Sequence, residues 1–171
     1  MLAVCYCKDC RAWAHVLGRQ ADLLDAAGGM AIVAAQPSSV RFTDGVDRLA
    51  CASFSKRGLL RWYASCCRTP MGNTVRNPKQ HFVGLARIAL DPAPLPGEDG
   101  PPRIRLFAPS ATAPVTATPV AMGLSLVGIV GRATLAVVTG RWRRNPYFAD
   151  VEHGTPLRTP QLVDRAATLA G

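Results

Sequence analysis

Cys5, Cys7 and Cys10 fall within the run MLAVCYCKDC at the start of the sequence. On an extended strand, residues i and i+2 point to the same side. Cys5 and Cys7 therefore present both sulfurs to one point, and a tight turn brings Cys10 round to it. Thiolates grouped in this way suit a zinc ion, whose bonds to sulfur are about 2.3 Å long and tetrahedrally arranged. A helix opening at Arg11 would aim its first amides at the Cys10 thiolate. Lys8 and Arg11 would offset part of the charge of a zinc–trithiolate centre. The expected cofactor is Zn2+.

The fourth position on the metal decides the chemistry. A fourth cysteine closes the site and makes it structural, whereas an open position holding water or substrate makes it a Lewis acid. Cys66 and Cys67, adjacent on a turn, are the candidates for closure. Cys51 sits mid-strand and reads as a small core residue. His15 lies just over one helical turn beyond Cys10, within reach of a proton-carrying role, although a surface histidine is the plainer reading. His81 and His153 stand alone. The chain has no serine–histidine–acid order, no phosphate loop and no paired carboxylates, so those reaction classes are not expected. Asp9 is the only acid beside the cluster.

The elements that must position these residues read as mainly β. The chain has 171 residues, enough for one domain with a core, and 49% hydrophobic against 18% charged residues is a globular composition. The spacing predicts a strand into the cysteine knuckle, helical pieces over 11–17 and 21–27, and a stop at Gly28-Gly29. Strands are predicted over 30–35, 40–43, 49–55, 59–65, 82–90 and 103–107. Lys56-Arg57-Gly58 joins 49–55 to 59–65 as a hairpin, and proline-rich 91–102 reads as a loop. Residues 119–140 carry one ionised residue, Arg132. Val120, Leu124, Val127, Leu135 and Val138 form one helical stripe there, with Ser125 and Arg132 opposite. That pattern reads as a largely buried amphipathic helix rather than a membrane segment. A small helix is expected over 161–169.

The net charge of +9 is carried almost wholly by arginine. Such a balance suits acidic partners. The one dense cluster, Arg141-Trp142-Arg143-Arg144, is a weak footprint for nucleic acid, which is not expected as a partner. The run from Met1 to Cys5 has no charged leader, so a cytoplasmic, reducing location is the expectation. Composition leaves the oligomeric state open.

CYCKDCRAW, followed by a hairpin and RWYASCCRTPMGN, resembles the glutathione-dependent formaldehyde-activating enzyme family, in a branch of uncharacterised bacterial proteins. The matching region is about Cys5 to Leu90. The resemblance implies a mainly β (α+β), Mss4-like zinc-binding fold, also seen in small Rab-binding zinc proteins. It divides the chain into a zinc-binding β domain over 1–110 and a C-terminal extension over 111–171. It implies one zinc held by Cys5, Cys7 and Cys10, near which a glutathione-like thiol binds. The family holds a second, structural zinc through an earlier Cys-x-Cys together with Cys-x-x-Cys. Cys67 takes the place of the last cysteine of that set. Ala64 stands where the set has its first, with the extra thiol at Cys66. The earlier Cys-x-Cys is missing, and a start assigned too late is the reading preferred here. The implied activity is that of a carbon–sulfur lyase acting on a glutathione or other thiol adduct, with Arg61, Arg68 or Lys79 binding ligand carboxylates. The alternative is a zinc-stabilised module without chemistry, closed by Cys66 or Cys67, that engages an acidic partner.

Overall fold

The computed structural model describes residues 1–90 and 104–165. It is mainly β, an α+β arrangement built on one eight-stranded mixed sheet. The strands are β1 (Leu2–Cys5), β2 (Met30–Ala35), β3 (Leu49–Ser53), β4 (Leu60–Ala64), β5 (Pro70–Thr74), β6 (Val83–Ala86), β7 (Arg105–Leu106) and, after a small β8–β9 ribbon (Phe148–Asp150, Thr155–Pro156), β10 (Gln161–Leu162). Their order across the sheet is β10-β3-β4-β5-β6-β2-β1-β7. The two edge strands pair in parallel, β7 on β1 and β10 on β3, and the interior pairs are antiparallel.

Alternation along β4 divides the core between the two faces of the sheet. Leu60 and Trp62 pack with Leu49, Cys51, Val83, Tyr147 and Phe148 on one face. Arg61 and Tyr63 point the other way, toward helix α1 (Lys8–Val16), which a single turn, α2 (Gln20–Leu23), follows; both approach Trp13 of α1. One strand thus feeds an apolar core on one side and delivers a guanidinium beside the helix on the other.

The predicted hairpin forms with Leu49 opposite Ala64 and Cys51 opposite Trp62. The predicted strand over 82–90 shortens to β6 and then turns over Arg87–Ala89. No strand forms over 40–43. β5 was not foreseen; it begins at Pro70, the position within a strand that tolerates a missing N–H. The helix expected over 161–169 is corrected at its start, because Gln161 and Leu162 pair with Ala52 and Ser53 as strand β10; positions 166–169 lie outside the described residues. The loop expected over 91–102 lies outside the described residues.

Close approach explains Gly72. A Cβ there would stand 2.8 Å from the Gly84 carbonyl oxygen and 3.2 Å from Leu85 Cα. Both obstacles are backbone of the paired strand β6, so neither can swing aside. Gly72→Ala is expected to cost about 1–3 kcal/mol, the range for overpacking a close-packed interior. Urea unfolding should show a lower midpoint with an unchanged slope, and a midpoint within error of the parent would refute the steric account.

The largest correction concerns helix α3 (Pro119–Val138). The helix forms where expected, but its aliphatic stripe is not buried. Val120, Leu124, Val127 and Val138 are 72% to 79% exposed, and Ala136 is the only buried residue of the helix. The inner face is made mainly of small residues, Ala121, Ser125, Gly128, Ala133 and Ala136, with Ile129 among them. Ser125 reaches Met1, and the Arg132 carbonyl accepts from Gln36 Nε2 at 3.2 Å. Periodicity identified the stripe correctly and gave no information on which way it turns.

Candidate metal centre

β1 ends at Cys5 and α1 begins at Lys8, leaving Tyr6 and Cys7 as the connection. Cys7 is the N-cap of α1, with extended backbone angles, and its sulfur accepts from the Cys10 amide at 3.4 Å. The helix therefore starts three residues earlier than the spacing predicted. Its N-terminal amides serve Cys7, not Cys10 as expected, and a thiolate suits that position as other anions do. Cys10 follows within the first turn.

The connection is held from several sides. The Tyr6 amide donates to Leu106 O at 2.9 Å, and the Tyr6 hydroxyl donates to Asp25 at 3.0 Å. Arg11 donates to the carbonyls of Tyr6 and Ser110 at 2.8 and 2.6 Å. Its guanidinium fastens the turn to the 108–110 segment and is not spent on the thiolates. Gly29 lies against Tyr6 and Val4 so closely that a Cβ would meet both at 2.5 Å.

The three sulfurs converge. All lie within 4.8 Å of one another, with Cys5 and Cys7 at 3.4 Å. Sulfurs bound tetrahedrally to one zinc stand about 3.8 Å apart, from a bond of about 2.3 Å, so closing the cluster on a metal needs shifts of no more than about 1 Å. Cys5 and Cys10 are buried and Cys7 is partly exposed. Hydrogen bonds from Cys10 and Cys5 hold the Cys7 thiol far below its ordinary range. Cys10 is pushed well up by its bonds to Cys5 and Cys7 and by burial. For Cys5 the bond from Cys10 favours the thiolate, but Cys7 and burial outweigh it and raise the thiol to about 11. One thiolate thus forms readily and makes the other two hard to ionise. A divalent cation relieves that conflict by replacing the protons on the sulfurs.

Among the described residues, no fourth cysteine, histidine or carboxylate joins the group. Cys66 and Cys67 are exposed on the β4–β5 turn. Arg19 Nη1 donates to Thr69 Oγ1 of that turn at 2.6 Å, which ties it to the C-terminal end of α1. The cysteine cluster is at the N-terminal end, about 12 Å away along nine helical residues. The sheet does not bring Cys66 or Cys67 to close the site. Instead, Cys67 lies 3.1 Å from the Thr69 hydroxyl, whose hydrogen bond holds its thiol below the ordinary range. Cys51 is a buried core residue, as read, with burial raising its thiol to about 12. His15 is exposed and plays no part at the cluster. His81 is buried against Ser38, and His153 pairs with Asp150 on the surface.

A cleft of about 330 Å³ opens beside Asp9, lined also by Phe54, Gly58, Arg61 and Arg165. Arg61 is 2% exposed. Its guanidinium lies 4.7 Å over the Phe54 ring and 5.8 Å over Trp13, within 3.7 Å of the Asp9 carboxylate. Its positive charge also favours the Cys7 thiolate. Of the three cations considered for ligand carboxylates, only Arg61 stands here. Lys79 sits over Trp142, and Arg68 lies beside Leu17 at the far end of α1. Arg165, 2.8 Å from Asp9, and Phe54 were missed by sequence reasoning. No local pattern ties a residue 156 positions away to Asp9.

Fold and site together define a mainly β protein whose N-terminal cysteine knuckle can hold a metal ion. The chain belongs to DUF6151, a family of unknown function, whose profile matches residues 1–156. No curated protein and no solved structure matches the chain.

Proposed function

We propose that this protein is a zinc-thiolate protein of the formaldehyde-activating kind, acting as a carbon–sulfur lyase on adducts of glutathione or a similar thiol. The observation that carries the reading is the grouping of Cys5, Cys7 and Cys10 within 4.8 Å, with Asp9, between two of them in sequence, lining a cleft that holds the buried Arg61. Three protein ligands and one open position are the pattern of catalytic rather than structural zinc. Zinc bound there supplies Lewis acidity toward a thiol sulfur or an adduct oxygen.

The chain's own groups orient the ligand. Arg61 offers a rigid fork of donors matched to a carboxylate, pre-set by its stacking on Phe54 and Trp13. Asp9, 3.7 Å from Nη2, and Asn73 Oδ1, which accepts from Nη1 at 3.4 Å, hold that fork loosely enough for a ligand carboxylate to share it. In the forward sense the thiol sulfur adds to an aldehyde carbon and the thiol proton passes to the aldehyde oxygen. In the reverse sense the carbon–sulfur bond breaks and the proton returns to sulfur.

The test begins with metal content and titration calorimetry with glutathione, followed by assay of adduct formation from glutathione and formaldehyde. Stoichiometric zinc, saturable glutathione binding and turnover lost with chelator are expected. Four sulfur ligands by X-ray absorption, or zinc-replete protein that ignores glutathione, would leave only the non-catalytic module. Arg61→Ala is expected to weaken glutathione binding about 10- to 100-fold, the worth of hydrogen bonds to a charged group. Arg61→Lys keeps the charge, loses the fork and should fall between. Cysteamine, a thiol without a carboxylate, should bind all three proteins alike. Equal losses for both thiols would reduce Arg61 to a structural role.

A further inference from the structure

The outward face of α3 has no counterpart in the metal centre. Val120, Leu124, Leu126, Val127, Val130, Leu135 and Val138 are all more than half exposed on one helix. By length and composition alone α3 is apolar enough to cross a membrane. The fold excludes a crossing in this arrangement. Just before α3, β7 pairs with β1; just after it, Trp142 is buried and Tyr147 and Phe148 enter the core beneath β4. Both ends of the helix are thus fastened to one sheet, so it can only lie flat against whatever covers it.

Two observations favour a lipid surface over a second copy of the chain. The first is area. A 20-residue helix presents a stripe about 30 Å long and about 10 Å wide. Two such stripes face to face bury roughly 600 Å², well below the ~1,200 Å² at the lower end of stable interfaces. A bilayer imposes no such threshold, since insertion adds apolar area side chain by side chain. The second is charge. The C-terminal end of α3 runs into exposed Arg141, Arg143 and Arg144, with Lys79 against Trp142 beside them. Glu152 offsets Arg143 at 2.6 Å, and Arg141 and Arg144 remain as surface cations. An aliphatic face with cations at one end matches an anionic headgroup layer over an acyl interior. Between α3 and β1–β2, an apolar cleft of about 560 Å³ lined by Ile32, Phe82, Phe107, Met122 and Ile129 extends that surface inward.

We propose that α3 is an in-plane membrane anchor. Its aliphatic face enters the acyl boundary of an anionic bilayer, while Arg141 and Arg144 meet the headgroups. The experiment is flotation of the full chain with two kinds of vesicle, phosphatidylcholine alone and phosphatidylcholine mixed with phosphatidylserine. Light scattering gives the mass in the absence of lipid. Binding to the anionic vesicles is expected, weaker on neutral ones and reduced by salt. Leu124→Glu and Val127→Glu place charges on already exposed positions, so the fold should persist, with unchanged circular dichroism, while flotation is lost. Arg141→Glu and Arg144→Glu should each lower binding to anionic vesicles at least ~5-fold, on the scale of one surface cation, and leave the weaker neutral binding unchanged. A protein recovered in the supernatant with both vesicle types overturns the proposal. So does a stable dimer that Val127→Glu converts to monomer without any lipid binding, which would assign the face to a second copy.

Discussion

Cys7→Ser is expected to strip the protein of its metal and lower its melting temperature by roughly 5–10 °C. Cys7 is the pivot of the cluster: it caps α1, receives the Cys10 amide and lies 3.4 Å from Cys5. A serine oxygen can still cap the helix, so local structure should survive the change. What goes is a soft anionic ligand. Losing even an outer partner of a metal ligand costs about 10- to 100-fold in affinity, so loss of the ligand itself should cost at least ~100-fold. When metal is in excess, a 100-fold weaker site removes about 2.7 kcal/mol of linked stability. For a chain of this size each kcal/mol is worth about 2–4 °C. The measurement pairs metal per chain by mass spectrometry with melting curves taken with and without chelator. Parent protein should lose stability to the chelator, and Cys7→Ser should be indifferent to it. Cys66→Ser and Cys67→Ser, at exposed positions remote from the cluster, should keep full metal. A parent protein that is metal-free and unmoved by chelator would dispose of the centre altogether.

The second large effect lies on the opposite face of the sheet. Trp62→Ala is expected to destabilise by about 3–5 kcal/mol, the cost of emptying a large aromatic site in a packed core. Trp62 is fully buried, packs 5.2 Å from Tyr147, and donates from Nε1 to Thr74 Oγ1 at 2.9 Å. Removal orphans a buried hydroxyl as well as opening a cavity, so the upper half of the range is expected. Against a total stability of about 5–15 kcal/mol, the variant should be marginal at room temperature. Trp62→Phe keeps most of the volume but gives up one ring and the indole N–H, and should cost about half as much. Because Trp62 points away from α1, whichever variant folds should bind metal like the parent. A cost under ~1 kcal/mol in denaturant titration would mean that this core is not packed as described.

Together the two experiments separate the faces of the sheet. Metal content should follow Cys7 and ignore Trp62, while chelator-independent stability should follow Trp62. Residues 61 and 62 are neighbours in sequence, yet strand alternation assigns one to the cleft and the other to the core.

What the sequence determined by itself were the local features, because their physics spans only a few residues. Three cysteines at i, i+2 and i+5 suffice to group three sulfurs at a strand–helix junction. The hairpin from Leu49 to Ala64 follows from two apolar runs and a short polar turn. Helix α3 follows from its period and from proline at its first turn. Tertiary structure decided everything that depends on which surface meets which. It chose Arg61 over Arg68 and Lys79, since of the three it is the one that β4 carries to Asp9, in the first turn of α1. It left Cys66 and Cys67 at the other end of that helix, a separation no spacing rule records. It brought Arg165 to Asp9 across nearly the whole chain. It also turned the aliphatic stripe of α3 outward: periodicity fixes the angle between residues on a helix, and only the packing of the whole chain fixes the angle between the helix and its surroundings.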